Sequence, residues 1–288
     1  MHVLVTGGAG FIGSNIVEAL VARGERVRVL DNFATGKREN LAEVIDRIEL
    51  VEGDLREFES VYTAARGVDV ILHQGALPSV PRSVQHPGET NAVNVTGTLN
   101  VLMAARDLDV KRVVLASSSS VYGNTPTLPK EETMAPNPMS PYAISKLAGE
   151  MYARAFSQLY GLSTVCLRYF QVFGPRQDPT SQYSAVIPRF IQRALRGEPF
   201  PIDGDGNQTR DFTFIENVVR ANLRSAEIET EGGLVMNIAS ASPISINGLA
   251  ALLNELTGQQ LTSIHGPARS GDVRDSFAAI GRARELLG

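Results

Sequence analysis

A glycine-rich turn near the start of the chain constrains the fold more than any other feature. The run Val-Leu-Val-Thr at residues 3–6 leads directly into Gly7-Gly8-Ala9-Gly10, and a helical pattern begins at Phe11. A strand, a glycine turn and a helix in this order, spaced as Gly8-x-Gly10-x-x-Gly13, are typical of a unit that binds a dinucleotide. Glycine lets the backbone approach a pyrophosphate, and the free N–H groups of the helix start favour its charge. The alternative interpretation is a tight glycine turn without a ligand.

Short apolar runs and helical patterns alternate from the second residue to about residue 170, which indicates βαβ units and a parallel sheet. We predict strands at residues 2–6, 26–30, 48–51, 68–73, 112–117 and 163–169. We predict helices at residues 11–23, 90–108, 141–160, 185–196, 215–226 and 246–257. The fold class is therefore α/β: a Rossmann-type doubly wound parallel sheet over residues 1–170, with a smaller C-terminal substrate-binding lobe over residues 171–288. We expect part of residues 211–240 to pack back on the first domain, and a cleft to lie between the two lobes.

The composition limits which kinds of partner the chain can bind. Of the 288 residues 43% are apolar, the formal net charge is -4, and no block of Lys or Arg occurs. This balance gives no footprint for nucleic acid or an anionic membrane, so we expect a small polar metabolite as partner. The chain has no 18-residue apolar stretch, and we expect a cytoplasmic protein. Cys166 lies in an apolar run and is interpreted as a core residue, and the four histidines share no ligand spacing, so we predict no metal site.

Two acidic positions follow the second and third predicted strands. Asp31 ends the second strand, where a carboxylate accepts hydrogen bonds from the adenosine ribose and repels a 2′-phosphate. NAD is therefore favoured over NADP, although Arg38 nearby complicates that choice. A solvated loop acid is the alternative for Asp31. Asp54, with Leu55, follows the third strand and is interpreted either as an adenine contact or as a helix N-cap.

A possible proton-transfer pair lies at the start of the predicted helix 141–160. Tyr142 and Lys146 are four residues apart and share one helix face. A neighbouring ammonium and a positive nicotinamide ring both favour the phenolate, which could move a proton at a carbinol. The pattern is weak alone, but Ser118 lies directly beyond an apolar strand of the same chain. Ligands bind at such strand ends in parallel sheets.

The whole chain resembles the extended short-chain dehydrogenase/reductases, in particular the UDP-glucose and UDP-N-acetylglucosamine 4-epimerases. The stretches that carry the resemblance are TGGAGFIG (6–13), ASSSSVYG (116–123), SPYAISK (140–146), LRYFQVFGPRQ (167–177), QTRDFTFIENV (208–218) and RSGDVRDS (269–276). It implies that Tyr142 is the base, that Lys146 lowers the pKa of Tyr142 and holds the nicotinamide ribose, and that Ser118 binds the sugar 4-oxygen. The cofactor contacts that it implies are Gly7, Gly10, Phe11, Ile12, Gly13, Asp31, Asn32, Asp54, Leu55, Gln74, Tyr142 and Lys146.

The resemblance also separates related reactions. Similar 4,6-dehydratases have an Asp-Glu pair just before Val-Tyr-Gly, and similar decarboxylases have a Glu there, whereas this chain has Ser119 and Ser120. Without a second acid/base group, the implied chemistry is oxidation at C4, rotation of the 4-keto sugar and return of the hydride to the opposite face, with NAD bound throughout.

Carried over by resemblance, the substrate contacts are Ser118, Gln171, Val186, Arg210, Arg269, Asp272 and Ser276. Arg210 and Arg269 would bind the diphosphate through their planar donors, and ordinary surface ion pairs are the alternative. Gln171 departs from the Asn that the family usually has. Ser276 takes the gate position that is a bulky Tyr in enzymes restricted to plain hexoses, so the resemblance implies that UDP-GlcNAc and UDP-GalNAc are accepted besides UDP-Glc and UDP-Gal.

Other functions remain open at this point. A UDP-glucuronate 4-epimerase would need a cation near the sugar carboxylate, and the sequence assigns none. A non-catalytic NAD(H)-binding regulator on the same fold is the alternative of a different class. The resemblance further implies a homodimer formed by the helices at 90–108 and 141–160, and another helix beyond the position of Gly288.

Overall fold

The computed structural model describes residues 1–178, 186–230, 232–268 and 274–288. Its strands are β1 (His2–Thr6), β2 (Arg26–Asp31), β3 (Ile48–Glu52), β4 (Val70–His73), β5 (Arg112–Ser118), β6 (Ser163–Tyr169), β7 (Val172–Phe173), β8 (Phe200–Asp203), β9 (Thr209–Asp211), β10 (Thr213–Phe214), β11 (Leu234–Ile238), β12 (Pro243–Ser245), β13 (Ser263–Gly266) and β14 (Asp275–Ser276). Its α-helices are α1 (Phe11–Ala22), α2 (Phe58–Ala65), α3 (Val80–Gln85), α4 (Pro87–Asn91), α5 (Gly97–Asp107), α6 (Pro141–Tyr160), α7 (Val186–Leu195), α8 (Ile215–Glu227), α9 (Ile246–Thr257) and α10 (Gly281–Leu287).

Seven strands form one parallel sheet in the order β11-β6-β5-β4-β1-β2-β3. One apolar core fills the face that is covered by α1, α8 and α10, and a second fills the face covered by α2, α5 and α6. The strand order reverses between β1 and β4, so a crevice opens at the carboxyl ends of these strands. The predicted Rossmann-type doubly wound sheet is confirmed.

The helix predicted over residues 90–108 is interrupted, which is a correction. A π-helical turn (Ala92–Thr96) separates α4 from α5. It carries the buried Asn94, whose side chain accepts a hydrogen bond from the amide of Leu77 (2.8 Å) and donates one to the hydroxyl of Ser145 (3.0 Å). These partners lie far away in sequence, so the apolar periodicity of the helix could not reveal the interruption.

The smaller lobe has its own core. Phe190 of α7 stacks on Phe200 of β8 with ring centroids 4.8 Å apart, and α9 covers them. Two small sheets, β12-β9-β14 and β13-β8, complete the lobe. From the same C-terminal part of the chain, β11 joins the edge of the main sheet and α8 packs on α1. Within the described residues, no helix is long and apolar enough to cross a membrane.

Candidate active site

A cleft of about 1190 Å³ lies at the carboxyl ends of the sheet strands and extends to the smaller lobe. Every predicted site residue that the structure describes lines this cleft. Arg269 and Asp272 lie outside the described residues. Among the described residues, no three His, Cys, Asp or Glu side chains are grouped as metal ligands.

The glycine turn forms one wall of the cleft and fits a pyrophosphate. Gly7 has a φ of +67°, and a Cβ there would lie 2.6 Å from the Cα of Gly75. A Cβ on Gly13 would lie 2.1 Å from the carbonyl oxygen of Gly7, so only glycine allows this packing. The N-cap of α1 is Gly10, which makes no side-chain capping bond. The first amides of α1 can therefore bind an anion, as the chemistry of NAD requires.

Asp31 is buried at the end of β2, which rules out a solvated loop acid. Its carboxylate accepts hydrogen bonds from the amides of Ala9 (2.9 Å) and Phe33 (2.8 Å), so it stabilises the glycine turn. Each carboxylate oxygen has a second lone pair, which leaves room for ribose hydroxyls. Arg38 lies over the ring of Phe33, 4.0 Å from its centroid, and forms an ion pair with Glu52.

Asp54 is held as a carboxylate where the cleft borders the ends of β2 and β3. Arg56 donates to both of its oxygens, at 2.9 and 2.6 Å, and Asn32 donates at 2.9 Å. The Arg56 side chain is the main cause that lowers the pKa of Asp54 to about 2, although burial opposes it. The N-cap interpretation of Asp54 is wrong, because α2 begins after Glu57.

Gln74 and Leu55 also line this part of the cleft. The Gln74 side chain accepts from the Tyr169 hydroxyl (3.0 Å) and donates to the Asn222 side chain (2.9 Å). Both ends of the amide therefore have partners within the protein, and its role toward a cofactor stays a prediction.

The structure brings Ser118, Tyr142 and Lys146 together. Ser140 caps α6 by accepting from the amide of Ala143 at 3.1 Å, and this fixes the helix start at Pro141. The hydroxyl of Ser118 is hydrogen-bonded to Tyr142. The ammonium of Lys146 donates to the carbonyl of Ala116 (2.8 Å) and lies 6.0 Å from the ring centroid of Tyr142.

Burial shifts the pKa of both Tyr142 and Lys146. It raises the pKa of Tyr142, while the hydrogen bond with Ser118 opposes that rise. It also lowers the pKa of Lys146 to about 8. At neutral pH most Lys146 side chains are therefore still cationic, as support of a phenolate requires. That Lys146 lowers the pKa of Tyr142 stays a prediction.

The side of the cleft toward the smaller lobe holds Arg210, Ser276 and Gln171. Arg210 is buried and donates to the carbonyls of Thr209 (2.8 Å) and Arg274 (3.0 Å). Its position in β9 lies beside Ser276 of β14 in the parallel register. This burial does not favour the ordinary surface ion pair that is the alternative for Arg210.

Gln171 follows β6 and has a φ of +28°, in a region that non-glycine residues rarely adopt. Its carbonyl accepts from the amide of Thr213 at 3.2 Å, where β7 and β10 pair. The backbone at this position of the cleft is therefore strained.

Gln177 and Arg189 are among the cleft residues that were not predicted individually from the sequence. Gln177 donates to the carbonyl of Val172 (3.1 Å), and its buried side-chain oxygen has no hydrogen-bond partner among the described residues. Arg189 lies on α7, three residues after Val186, and also faces the cleft. Helical spacing from Val186 could have identified Arg189, whereas Gln177 was included only within a quoted motif.

Comparison with known proteins agrees with this geometry. Residues 3–239 match the model of the NAD dependent epimerase/dehydratase family. A UDP-glucose 4-epimerase of Mycolicibacterium smegmatis is 39% identical over 100% of this chain and 93% of its own length. The structure of a UDP-N-acetylglucosamine 4-epimerase from Methanobrevibacter ruminantium, in complex with UDP-N-acetylmuramic acid, superimposes with a TM-score of 0.95 at 38% identity, covering 100% of this chain and 92% of that one. A Thermus thermophilus UDP-glucose 4-epimerase, in complex with NAD, gives a TM-score of 0.90 at 38% identity, covering 99% and 93%.

The chain belongs to the NAD dependent epimerase/dehydratase family. The predicted family and its cofactor, NAD, are thereby confirmed.

Proposed function

We propose that the chain is an NAD-dependent 4-epimerase of UDP-hexoses, which accepts UDP-GlcNAc and UDP-GalNAc as well as UDP-Glc and UDP-Gal. The observation that carries this proposal is that Ser118, Tyr142 and Lys146 lie together on one wall of the cleft. The other end of the cleft is lined by Arg189 and Arg210, whose guanidinium groups suit a diphosphate. The relatives' substrates support the same reaction class.

The chemistry assigned to the residues follows from their positions. Bound NAD supplies a hydride acceptor that can return the hydride. The Tyr142 phenolate takes the proton from the sugar O4 as the C4 hydrogen leaves as hydride, and it gives the proton back when the 4-keto sugar is reduced on its other face. Ser118 hydrogen-bonds O4, and Lys146 supports the phenolate.

The neighbours of Ser118 favour epimerisation over elimination. Ser119 and Ser120 line the cleft after β5, and neither side chain is an acid or base at neutral pH. A dehydratase needs a second group for removal of water, so the keto sugar has no such route here. Arg210, together with Arg269 as the resemblance implies, would bind the diphosphate about which the sugar turns.

A direct assay tests the reaction class. Purified holoenzyme is incubated separately with UDP-GlcNAc, UDP-Glc and UDP-glucuronate, and the epimers are resolved by chromatography. We expect the first two to equilibrate with their C4 epimers. Turnover of UDP-glucuronate alone would replace the proposal with the glucuronate epimerase, and turnover of none would favour a non-catalytic NAD(H)-binding regulator.

The acceptance of N-acetylated sugars rests on Ser276, which lines the cleft beside Arg210. A serine leaves space for a 2-acetamido group, whereas a tyrosine would fill that space. We expect Ser276→Tyr to abolish UDP-GlcNAc turnover and to spare UDP-Glc, as size exclusion discriminates sharply. Ser276→Ala serves as the control and retains both activities. Equal loss of both activities in the Tyr variant would contradict the gate.

We also propose a homodimer, in which α6 and the helical segment 87–107 pair with their copies. Apolar residues of α5 such as Val101 and Leu102 are buried, whereas Ile144 and Met151 on α6 are 55% and 48% exposed. An exposed apolar helix face of this kind suits a helix-on-helix interface. Light scattering at micromolar concentration tests the proposal, and a monomeric mass would contradict it.

A further inference from the structure

A buried ion pair connects the catalytic helix α6 to strand β6. Arg168 donates to both carboxylate oxygens of Glu150, from Nε at 2.9 Å and from Nη2 at 2.7 Å. The Arg168 side chain is 4% exposed and the Glu150 side chain is 1% exposed. In the part of the chain that the structure describes, it is the one ion pair with both partners below 5% exposure. None of the chemistry assigned above uses it.

Glu150 lies on the same helix face as Tyr142 and Lys146, eight residues after the first and four after the second. Its carboxylate also accepts a hydrogen bond from the hydroxyl of Ser117 in β5. Successive strand residues point to opposite faces, so Ser117 points toward the helix while Ser118 meets Tyr142 at the cleft. One carboxylate therefore ties the helix that carries the base to the strand that carries Ser118.

Arg168 extends this link across the sheet. Its guanidinium carbon lies 4.7 Å from the ring centroid of Tyr122, and the Tyr122 hydroxyl donates to the Asn237 side chain at 2.7 Å. Asn237 is in β11, so the connected groups span the ends of β5, β6 and β11. Two residues after Arg168 in the chain, Phe170 leads into the strained Gln171 of the cleft.

Burial of two charges is a weak contribution to stability, because desolvation offsets most of their attraction. A bidentate ion pair with a further hydrogen bond holds its groups in one fixed geometry, which an apolar contact does not do. We propose that Glu150 and Arg168 are positioning residues, which hold α6 on β5 and β6 so that Tyr142 and Lys146 face Ser118. The proposal rests on the proposed function, in which these three residues do the chemistry.

The charges around Lys146 support this role. Burial lowers the pKa of Lys146, and Cys166 and Glu150 oppose that shift. Burial also raises the pKa of the Cys166 thiol, which is therefore neutral at neutral pH, and lowers the pKa of His73 on β4 to about 3, so that His73 is neutral too. Glu150 is thus the anion that helps Lys146 keep its proton. Without Glu150, the pKa of Lys146 falls. If Lys146 supports the phenolate as proposed, the pKa of Tyr142 then rises.

The test replaces both partners with apolar side chains of similar length, in Glu150→Met/Arg168→Met. Such replacements often leave stability unchanged, whereas removal of one partner leaves a buried charge. The ionisation of Tyr142 is followed in the holoenzyme by ultraviolet difference absorbance, against the same variant carrying Tyr142→Phe. We expect the melting temperature and NAD content to stay as in the parent, the Tyr142 titration to move up by about one pH unit, and kcat to fall about tenfold with KM little changed.

An unchanged Tyr142 titration would overturn the proposal, whatever the value of kcat. The titration needs no substrate, so it decides the positioning role even if no UDP-sugar is turned over and the proposed function fails. If the double variant does not fold, Ser117→Ala takes its place and should shift the same titration upward. The matched control is Thr164→Val, which removes another buried hydrogen bond between β6 and α6. In this bond the Thr164 hydroxyl donates to the carbonyl of Ala153 (3.0 Å), at the end of β6 away from the cleft. A shift of equal size in the control would also overturn the proposal.

Discussion

Replacement of Tyr142 by phenylalanine removes one oxygen from the cleft and leaves the ring in place. The lost hydroxyl is hydrogen-bonded to Ser118, and Ser118 still accepts from the amide of Ser120 at 3.1 Å. The serine is therefore not left without a partner. We expect the free energy of unfolding to fall by no more than about 1.5 kcal/mol, the usual worth of one hydrogen bond.

The effect on turnover should be much larger. General acid–base groups contribute about 100- to 10,000-fold to a rate. At 1.36 kcal/mol for each factor of ten, this corresponds to a loss of about 2.7–5.4 kcal/mol of transition-state stabilisation. Because Tyr142 does not shape the glycine turn, we expect the NAD content of the purified variant to match that of the parent.

The assay measures kcat for UDP-GlcNAc epimerisation, together with NAD released on denaturation and the melting temperature. Tyr152→Phe is the matched control, since Tyr152 lies on the same helix but is 37% exposed at the surface. A Tyr142→Phe variant with more than about a tenth of parental kcat would refute its role as the base. Loss of NAD together with activity would assign Tyr142 to cofactor binding instead.

Three further outcomes are expected. Lys146→Met should move the acid limb of the activity profile to higher pH, because the Tyr142 phenol is harder to ionise without a nearby cation, and an unchanged profile would exclude Lys146 as the tuning group. Gly13→Ala should yield protein with little bound NAD, since its Cβ would lie 2.1 Å from the carbonyl oxygen of Gly7, and normal NAD content on release would contradict the assignment. Ile144→Glu should give a monomer by light scattering. Leu256→Glu is the control, because Leu256 is 72% exposed on α9, and it should leave the mass unchanged. Monomers from both variants, or from neither, would count against the α6 interface.

Elements with local end signals were predictable from the sequence. The bounds of α6 are as predicted, because Ser140 and Pro141 mark its start and Gly161, with a φ of +70°, closes it. The glycine turn and the Tyr142–Lys146 spacing are likewise short patterns that a single segment contains. Partners from distant segments were not predictable. Neither the bonds that interrupt the helix at Asn94 nor the bond of Asp31 with Ala9 leaves a pattern in the sequence.

Gln171 shows how the two kinds of information combine at one residue. From the sequence, its departure from the usual Asn means only that the amide is moved by one methylene. The structure adds that the backbone has a φ of +28°, where Asn is tolerated better than Gln. The cause is non-local, since the amide of Thr213 binds the Gln171 carbonyl as β10 pairs with β7. Strain of this kind persists only where surrounding contacts hold it. The strand pair β7–β10 therefore holds the Gln171 backbone in this conformation, and with it the direction in which the Gln171 side chain leaves the backbone at the cleft.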